Sequence, residues 1–269
     1  MPQATKPRGR AHSGVAIVGA GRLGSALVRA LEDAGVPVEG PLGRDAHPAA
    51  GVVLLCVPDG EIAAAAAALG RAGSRPERLV GHVSGATPLG ALAAAGGQAF
   101  GLHPLQTFAG GEGAEAFAGT GAAIAGSTAT ALATARELAL ALGMEPIAVS
   151  DSERAAYHAA ASVASNFTVT LQAVAERLAG VAGIAPADAR ALLAPLVRQT
   201  VDNWAARGPE AALTGPVARG DRATVDRQRA AVDRHVPELA PLFDELVAAT
   251  AALARGDVTA PTPSTRAAA

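Results

Sequence analysis

The chain has 269 residues and a formal net charge of -2; half of the residues are hydrophobic and 17% are charged, a composition that suits a packed core and offers no basic surface to a polyanion. Nucleic acid is therefore not an expected partner, and neither is a membrane, because no uncharged run of about 18 bulky apolar residues occurs. The lone cysteine, Cys56, rules out an internal disulfide and the polar start lacks an apolar signal core, so a cytoplasmic protein is expected.

Residues 1–13 read as a disordered arm. Val15 to Val18 is a short apolar run that predicts a strand, and the next six residues are Gly19-Ala20-Gly21-Arg22-Leu23-Gly24. A helical pattern follows, with Leu23, Leu27, Val28 and Leu31 on one face. Between a strand and a helix this Gly-x-Gly-x-x-Gly string has a mechanism: Gly19 for the tight turn, Gly21 for the approach of a pyrophosphate, Gly24 for helix–strand packing. The helix start then offers unpaired N–H groups to the phosphates. A second strand is expected over residues 36–42, where Pro37 and Pro41 cannot donate to a central ladder, so it belongs at a sheet edge. The third, at 51–57, is continuously apolar and should be covered on both faces. Only residues 45–50 separate Arg44 from Gly51, too few for a crossover with its helix, so one strand–helix unit of the usual dinucleotide fold is expected to be missing there.

Asp59 suits the N-cap of the Ala-rich helix that begins near Glu61. Strands are then predicted at 79–83, 99–102, 122–125 and 146–149, with helices at 88–95 and 129–142. This alternation argues for a parallel α/β sheet. After Asp151 the strands stop, and helical runs cover roughly 152–181, 186–207, 221–235 and 237–255. The expected architecture is an N-terminal Rossmann-type parallel sheet domain over 14–150, an all-α domain over 151–256 for substrate binding and dimerisation, and a disordered tail over 257–269.

The end of the second strand, where dinucleotide enzymes often hold the ribose, carries Arg44, a group that suits a 2′-phosphate; Arg22 in the turn is placed to assist. Cofactor contacts are expected from Gly19, Gly21, Arg22, Leu23, Gly24, Arg44, Val57, Pro58 and Ser84, and NADP is the expected cofactor. His103 and Gln106 directly follow a strand, where a substrate beside a nicotinamide would meet them. His82 reads as a core residue within its strand. In the helical region His158, Ser162, Ser165 and Asn166 fall on one stripe of an Ala/Val helix, which predicts either the lining of a cleft or hydrogen bonds between helices. Histidine titrates near neutrality, so His158 or His103 is a candidate proton donor. Arg219 is a candidate clamp for a substrate carboxylate and Asp221 an N-cap. The only lysine is Lys6, which leaves none for acid–base chemistry in the folded body. No histidine or cysteine cluster has metal-ligand spacing.

The Rossmann turn, Cys-Val-Pro-Asp (56–59), His-x-Ser-Gly (82–85), His-Pro-Leu-Gln-Thr-Phe (103–108), Tyr-His (157–158) with Ser165-Asn166, and Leu-Thr-Gly-Pro-Val-Ala-Arg-Gly-Asp (213–221) occur in this order. Together they resemble a family of bacterial Rossmann-like proteins with a C-terminal helical domain of unknown function. That family is similar to the 6-phosphogluconate dehydrogenase-like and pyrroline-5-carboxylate reductase-like NADP enzymes. The resemblance implies an NADP-dependent reductase forming a homodimer through its helical domain, and some members look like an alternative ketopantoate reductase for pantothenate synthesis. It gives Asn166 the place of the helix asparagine that holds substrate, while Ser162 stands where related hydroxyacid dehydrogenases carry a lysine.

The expectation is reduction of a small 2-oxo acid, ketopantoate-like, in a cleft between the domains. His158, Asn166 and His103 are the catalytic candidates, with Gln106, Ser162 and Arg219 at the substrate. Imine reduction of the pyrroline-5-carboxylate type and a non-catalytic NADP-binding sensor are the alternatives.

Overall fold

The computed structural model describes residues 14–73 and 75–257. The arm expected over 1–13 and, apart from Asp257, the tail lie outside the described residues. Two compact units divide at Phe167/Thr168.

The first unit is a seven-stranded sheet in the order β2-β1-β3-β4-β5-β6-β7, built from Val15–Val18, Val38–Leu42, Val52–Leu55, Leu79–His82, Gln98–Pro104, Gly121–Gly126 and Glu145–Ala148 as β1 to β7. β1 alternates its side chains: Val15 and Ile17 join the core on one face, Ala16 and Val18 that on the other. The first core takes the helices α1 (Arg22–Asp33) and α3 (Ala129–Ala141) through Leu27, Leu31, Ala135 and Leu138, with Phe100 and Phe117 fully buried. The second takes α2 (Ile62–Arg71) through Ile62, Ala66 and Leu69. Each large apolar side chain so buried contributes about 1.5–3 kcal/mol, and alanines let α2 lie close.

β2 is the sheet edge, and β3 follows on the far side of β1 with no strand–helix unit between them. The short 45–50 link required this. The ladder slips between Ala16 and Val18, opposite Gly40 and Pro41, and an edge absorbs such an irregularity.

Three expectations are corrected. The sheet is not wholly parallel, since β5 and β6 are antiparallel. The connection from Leu105 to Thr120 contains only a single 3₁₀ turn, Ala114–Ala116, and lacks the crossover helix that a parallel return needs. The 88–95 segment is a 3₁₀ helix, Leu89–Ala95, rather than an α-helix. Asp59 caps nothing: it opens a 3₁₀ turn, Asp59–Glu61, and its carboxylate accepts the Ser84 hydroxyl at 2.8 Å.

The helix α4 (Arg154–Ser162) and a π-helical turn, Val163–Phe167, go with the sheet. The reason is α4's side chains: Arg154 is 1% exposed and donates to the Ser84 carbonyl, and Tyr157 bonds His103 of β5.

The second unit consists of α5 (Thr168–Val181), α6 (Pro186–Arg207), α7 (Pro209–Ala212), α8 (Arg222–His235) and α9 (Ala240–Ala254). Asp221 caps α8, accepting from the Thr224 N–H at 3.1 Å. A two-pronged Arg190–Glu176 pair joins α6 to α5, and Arg229 reaches Asp244 from α8 to α9. Only Ala189, Val232, Val236 and Ala240 are buried among this unit's described residues. No helix of the described residues is long and apolar enough to cross a membrane.

Candidate active site

The turn after β1 is built as the sequence predicts. Gly19 has φ +120°, and a side chain there would meet the Cys56 carbonyl at 2.3 Å. A Cβ on Gly24 would lie 2.0 Å from the Gly19 carbonyl, so only glycine lets α1 start this close to the strand. Gly21 is the contrast: it is the N-cap of α1 and a Cβ there would meet nothing within 4 Å. The space that its missing side chain leaves opens onto a cavity of about 360 Å³, lined by Gly21, Arg22, Leu23, Val57, Pro58 and Ser84 among others. These residues fit a dinucleotide pyrophosphate: bare backbone at a helix N-terminus and apolar side chains from Leu23, Val57 and Pro58, with the acidic lining residue, Asp59, engaged by the Ser84 hydroxyl.

Arg22 and Arg44 do not converge on one point. The Arg22 guanidinium donates to the Phe108 carbonyl at 3.3 Å and so helps to hold the 105–120 loop over the turn. Arg44 pairs with Glu61 at 2.9 Å, and with Asp45 and Arg71 they line a separate cavity of about 110 Å³ beyond the end of β2. The pair is exposed, so it stabilises little and Arg44 can exchange partners readily.

Beside the first cavity lies a larger one of about 750 Å³, lined by Leu105, Thr107, Tyr157, Ser162, Ser165 and Asn166 among others. His103, Gln106, Phe108 and His158 line both. All four members of the His158–Asn166 stripe thus face one space. The π turn carries Ser165 and Asn166; such a turn inserts one residue into a helix and often marks a functional site.

His103 stands where the two cavities meet. Its Nδ1 is 2.9 Å from the Tyr157 hydroxyl, and its ring packs edge-on to His158 with centroids 5.9 Å apart. Burial, His158 and Arg154 together push its pKa down to about 4, so its ring is neutral at pH 7. Burial also raises the Tyr157 phenol, which keeps its proton. The two histidines approach over Gly85, where a Cβ would lie 2.6 Å from His158 Cδ2 and 3.0 Å from His103 Nε2. The bare position is what lets both rings reach the junction.

The turn that carries Gly85 is held from below. The Ser84 hydroxyl is committed to Asp59, and its oxygen takes the Thr87 N–H at 2.9 Å, so Ser84 is a brace of this wall. Arg154 holds the Ser84 carbonyl, and one of its nitrogens lies 2.9 Å from where a Gly101 side chain would start. Gly101 pairs in register with His82, which is wholly buried. His82 accepts the Ser84 N–H on Nδ1, and burial, then Arg154, lower its pKa to about 4.

Gln106 turns into its own loop, donating to the Ala116 carbonyl at 3.3 Å and accepting the Thr107 N–H at 2.8 Å. Arg219 belongs to the second unit. Cys56 is half-buried beneath the glycine turn, and burial drives its thiol pKa upward, which suits a packing role. Sequence reasoning passed over Tyr157 as a chemical group and missed Arg154 altogether. The signal for Tyr157 was its adjacency to His158 in a chain with a single tyrosine.

A glycine turn at the edge of β1, a sheet one unit short beyond β2 and a following helical unit define a Rossmann-type dinucleotide-binding domain with an all-α partner. The family described as "Domain of unknown function (DUF2520)" matches residues 120–250, as the motif resemblance implied. Among solved structures, BF3122 of Bacteroides fragilis, provisionally named an NADP oxidoreductase, is 20% identical with a TM-score of 0.75 and covers 89% of this chain and 98% of its own. Protein TM1727 of Thermotoga maritima is 22% identical with a TM-score of 0.72, covering 90% and 99%. The NADP-bound pyrroline carboxylate reductase of Plasmodium falciparum is 11% identical with a TM-score of 0.58, covering 90% and 100%. At these identities the shared property is the fold, here along nearly the whole of both chains. No curated protein sequence matches this one.

Proposed function

We propose that this protein is an NADP-dependent oxidoreductase that reduces a small 2-oxo acid of the ketopantoate kind. The observation that carries the reading is His103 at the junction of two cavities, one opening from the glycine turn and the other from the polar stripe of α4 and the π turn. NADPH would be held by Gly19, Gly21, Leu23 and Gly24 at the pyrophosphate, by Val57 and Pro58 along the wall, and by Arg44 at the 2′-phosphate; it supplies a hydride.

The chain's own residues bind, orient and protonate. Asn166 and Ser162 hold the substrate's hydroxyl or carboxylate oxygen in the larger cavity. A neutral His103 donates a hydrogen bond to the carbonyl and His158 stands beside it as a second donor; general-acid work of this kind is typically worth about 10²–10⁴-fold. Phe108 lines both cavities at the junction. The unpaired Cys56 agrees with a cytoplasmic location. The apolar side chains left exposed on α5 and α6 support a homodimer.

One observation favours imine reduction as a second reading. His103 is held neutral and the chain's only lysine is Lys6, so the acid is weak, whereas an iminium brings its own proton. The NADP-bound relative of the same fold is a pyrroline carboxylate reductase.

The deciding assay follows NADPH oxidation with ketopantoate, pyrroline-5-carboxylate and simple 2-oxo acids, repeated with NADH. The first reading expects turnover of an oxo acid with NADPH, and about a tenfold or greater loss of NADPH but not NADH affinity in Arg44→Ala. Turnover of the imine alone selects the second reading. Tight NADPH binding with no turnover across the panel leaves a sensor.

A further inference from the structure

We infer that Tyr157 is a positioning residue that fixes His103 as the tautomer carrying its proton on Nε2, the nitrogen at the junction of the two cavities. This rests on the oxidoreductase reading for its use, and on the 2.9 Å contact between the Tyr157 hydroxyl and His103 Nδ1 for its geometry. A neutral imidazole has one N–H and one bare nitrogen, and whichever nitrogen accepts a hydrogen bond must be the bare one. A phenol O–H is a strong donor and its oxygen a weak acceptor, whereas a bare imidazole nitrogen is a strong acceptor, so the contact runs from the Tyr157 hydroxyl to Nδ1. With Nδ1 accepting that proton, Nε2–H is left on the edge of the ring nearest Gly85, whose backbone lines the cavity at the glycine turn. Tyr157 is placed for the task by Arg154, three residues earlier on α4, whose buried guanidinium anchors the first turn of that helix to the Ser84 carbonyl.

The proton accounting closes. As the substrate's carbonyl carbon accepts hydride, the π pair moves to oxygen, and that oxygen takes the Nε2 proton. The Tyr157 O–H bond breaks and its proton crosses to Nδ1, so the ring stays neutral. Water then protonates Nε2 and the Nδ1 proton returns to the phenolate, so both groups end as they began.

The test is long-range ¹H–¹⁵N correlation on the ¹⁵N-labelled full chain at pH 7.5, with His103 assigned by its loss in His103→Gln. The expected result is a bare Nδ1 and a protonated Nε2 in the wild type, and a tautomer mixture in Tyr157→Phe. That variant should also lose about tenfold to hundredfold in kcat with NADPH affinity unchanged. A protonated Nδ1 in the wild type overturns the proposal, as does an unaltered tautomer in Tyr157→Phe. The spectrum does not depend on turnover, so failure of every substrate overturns the oxidoreductase reading, while the spectrum alone judges the Tyr157–His103 pairing.

Discussion

Gly85 shows how a residue without a side chain can govern two that have them. A methyl at this position would occupy the space of His158 Cδ2 and of the His103 ring edge, both at under 3.1 Å. Gly85→Ala should therefore push the rings apart and reduce kcat at least about tenfold, and because Gly85 also lines the cavity at the glycine turn, NADPH affinity is to be measured apart from it. Fluorescence titration of NADPH beside steady-state kinetics separates the two; equal kcat in the variant would remove the histidine pair from the chemistry. The burial that keeps His103, and His82 below it, neutral costs stability in acid. His82 and His103 have folded pKa values near 4 against an ordinary 6.5, so between those values the unfolded chain binds protons that the folded chain refuses. Stability is complete above about pH 6.5 and falls as pH drops toward 4, by on the order of 1–3 kcal/mol for the fully buried His82. Calorimetry between pH 8 and 5 should show Tm declining below pH 6.5, with a smaller decline in His82→Asn, whose amide oxygen can still accept the Ser84 N–H. A Tm that is flat across this range would contradict the burial of both rings as neutral species. His82 was legible as a core residue because its strand is otherwise apolar. Arg154 was not legible, because an arginine at the start of an Ala-rich helix reads as a solvated end, and only the bare Gly101 beside it makes room for its guanidinium.

At the scale of elements, what the sequence states locally was readable and what depends on pairing was not. The glycine turn could be assigned position by position, since each glycine answers a separate steric demand. The edge strand and the missing unit followed from two prolines and a six-residue link. The four helical runs after Asp151 were found within a few residues, because periodicity and Gly or Pro stops mark them. The direction of β6 was hidden: a four-residue apolar run reads the same either way, and the loop before it lacks the helix that would dictate a parallel return. That loop is instead pinned by its own polar groups. The Glu112 carboxylate accepts the Ala109 N–H at 2.6 Å, Arg29 donates to the Glu112 carbonyl, and Phe108 stacks on Phe117 with centroids 5.1 Å apart. The π turn was equally hidden. The 3.6-residue period predicted that His158, Ser162 and Ser165 share a face with Asn166, and Ser165 and Asn166 line the cavity from within the π turn.

The whole molecule presents an imbalance between its two units. The sheet unit has two cores, whereas the helical unit buries four residues and leaves Val169, Leu192, Leu196 and Trp204 more than half exposed. Leu192 and Leu196, four residues apart, lie on one face of α6. A helical unit of this size with so little buried apolar surface does not offset the entropy of ordering its chain, and a second copy laid along α6 would supply the missing core. Stable interfaces of this kind bury about 1,200–2,000 Å² in all, with a few large apolar side chains carrying most of the affinity. Sedimentation equilibrium at micromolar concentration should accordingly return twice the chain mass of 26.4 kDa. In Leu192→Glu/Leu196→Glu, charges facing charges across the two-fold axis should raise the dissociation constant at least about 100-fold, to a monomer under the same conditions. Because the site assembled here lies within the first unit, the monomeric variant should keep its NADPH affinity; a wild-type chain that sediments as a monomer would refute the dimer and leave that apolar face to another partner.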